Sequence, residues 1–172
     1  MQTIHRRIAA VGISVRRVSF VCLDTRLRVL VSRTWYLRRL PTIRAKADCA
    51  CRRLRQSLSE WHPDRLLVEK PAGLPQQGEA MRLADAMVDE ARRSGLHVER
   101  TSLRAACREI SGAESVKRCS EILAAQHEPV ARFLAKAKVR WMWSDDFMRD
   151  RRSMLAAIAI AHAAVLEELQ GR

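Results

Sequence analysis

The run Ile8-Ala-Ala-Val-Gly-Ile13 is the most constraining stretch of this chain. Apolar and small residues in unbroken succession, too few for a helix, suit a strand buried on both faces. Such a strand needs neighbours beside it and helices above and below it. Val18-Ser-Phe-Val-Cys-Leu23 and Arg28-Val-Leu-Val-Ser32 follow, rich in β-branched residues, with Asp24-Thr25 at the turn between them. Three strands with short links predict an antiparallel meander.

Beyond Pro41 the apolar period changes. Ala47, Ala50, Cys51, Leu54, Leu58 and Trp61 recur at helical spacing over 43–61, leaving an arginine-rich outer face. His62-Pro63-Asp64 breaks this helix. Arg65-Leu-Leu-Val-Glu-Lys70 then reads as a short strand stopped by Pro71, with a loop over 71–78. A helix over 79–93 is closed by Ser94-Gly95, and a strand is expected over 96–100. Thr101-Ser102 caps a helix through Glu109, Gly112 breaks the chain, and another helix covers about 114–125. The stretch 127–148 fits no clear pattern. The last helix, about 150–169, is apolar almost all round from Met154 to Leu166, which predicts burial against a sheet. The expected order is β-β-β-α-β-α-β-α-α-α. It describes an α/β fold with a five-stranded mixed sheet, an antiparallel meander plus two helix-linked parallel strands, flanked by helices in a single domain over 1–172.

Charge directs the functional reading. Thirty-two Lys and Arg against nineteen Asp and Glu give a net charge of +13. Most of the cations are Arg, whose planar fork suits phosphate. A surface this basic attracts polyanions by counterion release, so nucleic acid is the expected partner. A merely solvated basic surface or an acidic protein partner are the alternatives. No run of about 18 apolar residues occurs, so no membrane-spanning helix is expected. The first ten residues lack a secretory pattern, which leads to the expectation of a cytoplasmic protein. Five cysteines form no even framework. Cys49 and Cys51 make a C-x-C pair without a second cluster, so buried thiols are expected rather than a zinc site.

Five segments in order carry a family resemblance. Trp61-His-Pro-Asp-Arg-Leu-Leu-Val-Glu-Lys70, with Pro-Asp leading into an apolar strand that ends in Glu, is one, and Gly78-Glu-Ala-Met-Arg-Leu-Ala-Asp-Ala-Met87 is the next. Gly95-Leu-His-Val-Glu-Arg-Thr-Ser-Leu-Arg-Ala-Ala-Cys-Arg-Glu-Ile110 follows, then the small-residue segment Ser111-Gly-Ala-Glu-Ser-Val-Lys117. Asp150-Arg-Arg-Ser-Met-Leu-Ala-Ala-Ile-Ala-Ile-Ala-His162 is the last. Together these resemble the RuvC-type Holliday-junction resolvases of the ribonuclease H-like superfamily, collinearly over roughly residues 8–165. The resemblance implies a magnesium- or manganese-dependent endonuclease acting on branched DNA as a homodimer. In that family the helix matching 78–87 contributes to the dimer contact.

Two-metal nucleases activate a water and stabilise the leaving oxygen with ions about 3.5–4 Å apart. Hard cations need several oxygen ligands, so carboxylates must converge at one end of the sheet. The resemblance places Glu69 and Asp150 on two of four expected acids. The other two are missing, because Ser14 stands where the first strand of the family ends in Asp, and Ser153 replaces the second acid of D-x-x-D. Two remaining carboxylates would bind magnesium or manganese weakly at most. Asp146, one helical turn before Asp150, is a possible substitute ligand, as are Asp145 and Asp24. Asp24 also reads as a plain turn residue, Asp150 as an ordinary helix-start acid, and His162 as a core histidine.

For nucleic acid the candidates are Arg16, Arg17, Lys70, Lys117, Arg118, Arg151 and Arg152. Lys136, Lys138 and Arg140 interleave with Trp141 and Trp143, as stacking surfaces for unpaired bases do, although packing in a core is an equal reading of the two Trp. Further arginine pairs, Arg6-Arg7, Arg38-Arg39 and Arg52-Arg53, are scattered along the chain. Binding of branched or duplex DNA with cleavage lost or impaired is the first expectation. An active metal-dependent junction endonuclease with an altered ligand set is the second, and an interaction component of a larger DNA-processing assembly the third.

Overall fold

The computed structural model describes residues 6–71, 77–135 and 145–171, with the backbone alone at 77, 133–135 and 145–151. Strands β1 (Arg7–Ile13), β2 (Arg17–Asp24) and β3 (Val29–Tyr36) form the antiparallel meander. Helix α1 (Ile43–Trp61) leads to β4 (Arg65–Glu69), and α2 (Gln77–Arg93) leads to β5 (Val98–Thr101). Helices α3 (Leu103–Ser111), α4 (Val116–Gln126), α5 (Glu128–Ala135) and α6 (Asp145–Leu169) complete the chain. The sheet order is β3-β2-β1-β4-β5, with β4 parallel to both β1 and β5. This is the five-stranded mixed sheet of the ribonuclease H-like fold.

The apolar run that opened the chain is the centre of the sheet. Ile8, Ala9, Ala10, Val11 and Ile13 are all buried. Their alternation divides the core in two. Ile8 and Ala10 join Val21, Leu23 and Leu67 beneath α3–α6, while Ala9, Val11 and Ile13 join Phe20, Leu66 and Val68 beneath α1 and α2. Helix α6 starts at Asp145, five residues before the expected 150, and two further elements exceed the sequence expectation. Strand β3 continues to Tyr36 because Trp35 is buried and stacks on Phe20, ring centroids 6.2 Å apart. Helix α5 occupies part of the stretch that fits no pattern. Its Pro129 sits in the first turn, where the missing N–H is harmless.

Helix α6 lies unusually close to β1, and the sequence explains how. The alanines at 156, 157, 159, 161, 163 and 164 are buried, so little side chain separates helix from sheet. Beneath its early turns stands Gly12. A Cβ there would overlap the Ser153 carbonyl oxygen and come 2.8 Å from the Ala157 nitrogen. Glycine is therefore required by close approach of two backbones. Buried thiols are found at Cys22, Cys107 and Cys119, whereas Cys49 and Cys51 are only half-buried on α1. No described helix is long and apolar enough to cross a membrane.

Candidate functional site

Strand register gathers a polar row across the α6 face of an otherwise apolar sheet. Thr34 pairs with Ser19, and Ser19 pairs with Gly12. The parallel register of β1 on β4 sets Val11 opposite Val68, which brings Glu69 beside Gly12. Strand alternation turns Glu69 to the same side as Leu67, under α6.

Glu69 is completely buried and held on two sides. Its Oε2 accepts the Ile13 backbone N–H at 2.7 Å. The Arg152 guanidinium reaches down from α6 to within 3.0 Å of Oε1, and that side chain is 22% exposed. The approach is ionic rather than a directed hydrogen bond, since Oε1 finds no donor in line. Burial pushes the Glu69 carboxyl above the usual range, against the pull of the Arg152 charge and the Ile13 N–H. A buried carboxylate without a cation beside it is costly, and here the cation is a side chain.

The two serines at expected acid positions are engaged elsewhere. Ser14 closes the β1–β2 turn, where its hydroxyl donates to the Arg17 carbonyl and accepts the Arg17 N–H, both at 3.1 Å. Ser153 is buried and shares a hydrogen bond of 3.0 Å with Ser19, which continues to Thr34 at 2.9 Å. Asp146 and Asp150 both lie in α6, which begins at Asp145, so their backbones are one turn apart on one helix face. Their side chains, with those of Asp145 and Arg151, lie outside the described residues. Asp24 is at the opposite end of the sheet from Glu69. It accepts the Arg26 and Arg28 N–H groups at 2.9 and 3.0 Å and pairs with the Arg28 guanidinium at 2.6 Å. These bonds outweigh its burial and hold its carboxyl below the usual range.

A pair of divalent cations does not fit the described residues. Glu69 already faces a guanidinium, both serine hydroxyls are bonded to protein, and no cluster of three His, Cys, Asp or Glu occurs among the described residues. A metal beside Oε1 would have to displace Arg152. His162 is buried and bonded to His127 at 2.7 Å, so it belongs to the core.

The candidate nucleic-acid contacts fall on several elements. Arg16 and Arg17 stand on the turn after β1, and Lys70 is exposed just beyond Glu69, all at the same sheet end. Lys117 and Arg118 are exposed on the first turn of α4. Arg6 and Arg7 sit at the far end, where Arg7 donates to the Trp61 carbonyl at 2.8 Å. Lys136, Lys138, Arg140, Trp141 and Trp143 lie outside the described residues. Sequence reasoning missed the contribution of β3. Tyr36 ends that strand 68% exposed, the Arg17 guanidinium lies 4.9 Å from its ring centroid, and Arg38 and Arg39 follow it. The Arg38-Arg39 pair and an aromatic beside it were the available signal.

A central strand buried on both faces, a meander on one side and helix-linked parallel strands on the other define a ribonuclease H-like architecture. RuvC of Thermus thermophilus superposes with a TM-score of 0.70 at 13% identity, covering 96% of each chain. The T. thermophilus RuvC in complex with Holliday junction substrate gives 0.67 at 11% identity over 97% of each chain. The yeast mitochondrial Holliday junction resolvase Ydc2 gives 0.54 at 12% identity, covering 99% of this chain and 85% of that one. No family model and no curated protein matches the sequence. At such identities the likeness concerns the fold.

Proposed function

We propose that this chain is a nucleic-acid-binding protein on a RuvC-like scaffold, acting on branched or duplex DNA as a homodimer, with metal-dependent cleavage lost. The observation that carries this reading is Arg152 beside Glu69, a guanidinium at the buried carboxylate that ends β4. The net charge of +13 and the arginines at the same end of the sheet supply the affinity for phosphate. Recognition by phosphates and shape, with little reading of bases, follows from a surface of arginines on turns and sheet ends. Only Tyr36 and Leu169 are large exposed apolar residues among those described, so a dimer contact through the described surface would be largely polar.

Binding is tested with a labelled four-way junction and a duplex of equal length at low salt, with and without magnesium. The expected result is tight binding to both, independent of magnesium, and two protomers per junction by sedimentation. A folded protein that binds neither would overturn the reading. Cleavage is tested with the same junction in magnesium or manganese. Nicks that disappear in Glu69→Gln would instead establish the second reading, an active endonuclease, for which the placement of Asp146 and Asp150 on one face of α6 speaks.

A further inference from the structure

An open pocket of about 750 Å³ lies at the end of the sheet that also holds Glu69, lined by Arg16, Arg17, Tyr36, Arg38 and Arg39. Its size is that of a small-ligand site. Its walls are two tight turns tied to each other. The Ser14 N–H donates to the Arg17 carbonyl at 2.8 Å, closing the first turn. The Leu37 N–H donates to the Arg16 carbonyl at 2.8 Å, which joins the exit of β3 to that turn. The Leu40 N–H donates to the Leu37 carbonyl at 3.0 Å, and the fully buried Leu37 side chain anchors the second turn. The arginines therefore project from backbone that is already fixed.

Two further features single the pocket out. Many arginines elsewhere are neutralised by carboxylates, among them Arg28, Arg33, Arg55, Arg65 and Arg100. Arg16, Arg38 and Arg39 make no ion pair among the described residues, and no acid among the described residues lines the pocket. Tyr36 is the one exposed aromatic among the described residues, and the Arg17 cation sits over its ring. A pocket for duplex phosphates alone needs no exposed ring. A ring beside the unneutralised Arg16, Arg38 and Arg39 suits an unstacked base with its flanking phosphates.

We propose that Arg16, Arg17, Tyr36, Arg38 and Arg39 form a nucleotide subsite for an unpaired, single-stranded segment of nucleic acid. The base stacks on Tyr36 and the arginines hold the phosphates on either side. Three strand spacings set Tyr36 roughly 15 Å from Glu69 across the sheet. The inference rests on the nucleic-acid-binding reading above and adds to it a preference for splayed strands.

The test compares affinities for a labelled oligo(dT) strand and a duplex of equal length. The proteins are the full chain, Tyr36→Leu, Tyr36→Phe and the Arg38→Ala/Arg39→Ala double variant, each checked for folding by circular dichroism. Tyr36→Leu is expected to weaken single-strand binding about 5- to 150-fold, the range for loss of one base–aromatic stack, with duplex affinity within about twofold. Tyr36→Phe keeps the ring and should retain single-strand affinity. Loss of both Arg38 and Arg39 should weaken both ligands and reduce the salt slope by about 1.4 to 1.8. If the full chain binds neither ligand, the nucleic-acid reading itself fails. If it binds but Tyr36→Leu leaves the ratio of the two affinities unchanged, the subsite alone is overturned.

Discussion

Removing Arg152 measures how far the fold depends on its cation. Glu69 is fully buried, with one oxygen on the Ile13 N–H and the other facing Arg152 at 3.0 Å. Breaking a buried pair by deleting one partner costs about 3–5 kcal/mol, mostly because the other charge is stranded. Arg152 retains 22% exposure, so the lower end, about 3 kcal/mol, applies to Arg152→Ala. For a chain of this length that corresponds to a Tm lowered by about 6–12 °C. Glu69→Gln keeps an acceptor for Ile13 and leaves Arg152 able to reach water, so about 1–2 kcal/mol is expected. The double variant should lose less than the sum by about 1–3 kcal/mol. Urea denaturation of the four proteins, read by far-UV circular dichroism, supplies the cycle. A loss below about 1 kcal/mol in Arg152→Ala, or additivity within about 0.5 kcal/mol, would refute the pairing.

Three other outcomes follow from the packing and the site. Gly12→Ala forces α6 away from β1, because the new Cβ overlaps the Ser153 carbonyl; a loss above about 3 kcal/mol, measured by denaturation, is expected, and a neutral result would contradict the close approach. Burial and the neighbouring His127 lower the His162 pKa from 6.5 to about 4, so the unfolded chain takes up a proton that the native one refuses. Stability is therefore complete above pH 6.5 and falls toward pH 4, by up to about 3 kcal/mol. His127→Leu/His162→Leu should flatten that decline, and parallel pH curves for the two proteins would contradict it. Finally, magnesium at millimolar concentration should leave the Tm within about 1 °C, since a ligand that binds the native state must raise it. A concentration-dependent rise would mean that a metal site forms.

The architecture was legible because its signals are local. Short apolar runs marked β1 and β4, β-branched residues marked β2, and the Ala-rich apolar stretch marked α6 as a buried helix. The end of β3 was not, because Arg33-Thr34-Trp35-Tyr36 alternates outward polar groups with one buried Trp, and only its stacking on Phe20 reveals the strand. Helix α5 is two turns long and carries too short a pattern to read. Within the site, Glu69 was found from its place at the end of an apolar strand. The partner was not, since the approach of Arg152 to the sheet depends on the phase of α6 over Gly12. The polar row Thr34, Ser19, Gly12 and Glu69 is a product of register across four strands, so no window of sequence contains it.

Arg152 also differs from a bound ion in being covalently attached. A diffusible metal occupies its ligands according to its supply, and its site empties when the ion is depleted. A guanidinium anchored one residue from Ser153, whose backbone rests on Gly12, has a local concentration that dilution cannot change. Occupancy beside Glu69 is therefore set when the chain folds, and a competing cation acts on it only by displacing that side chain.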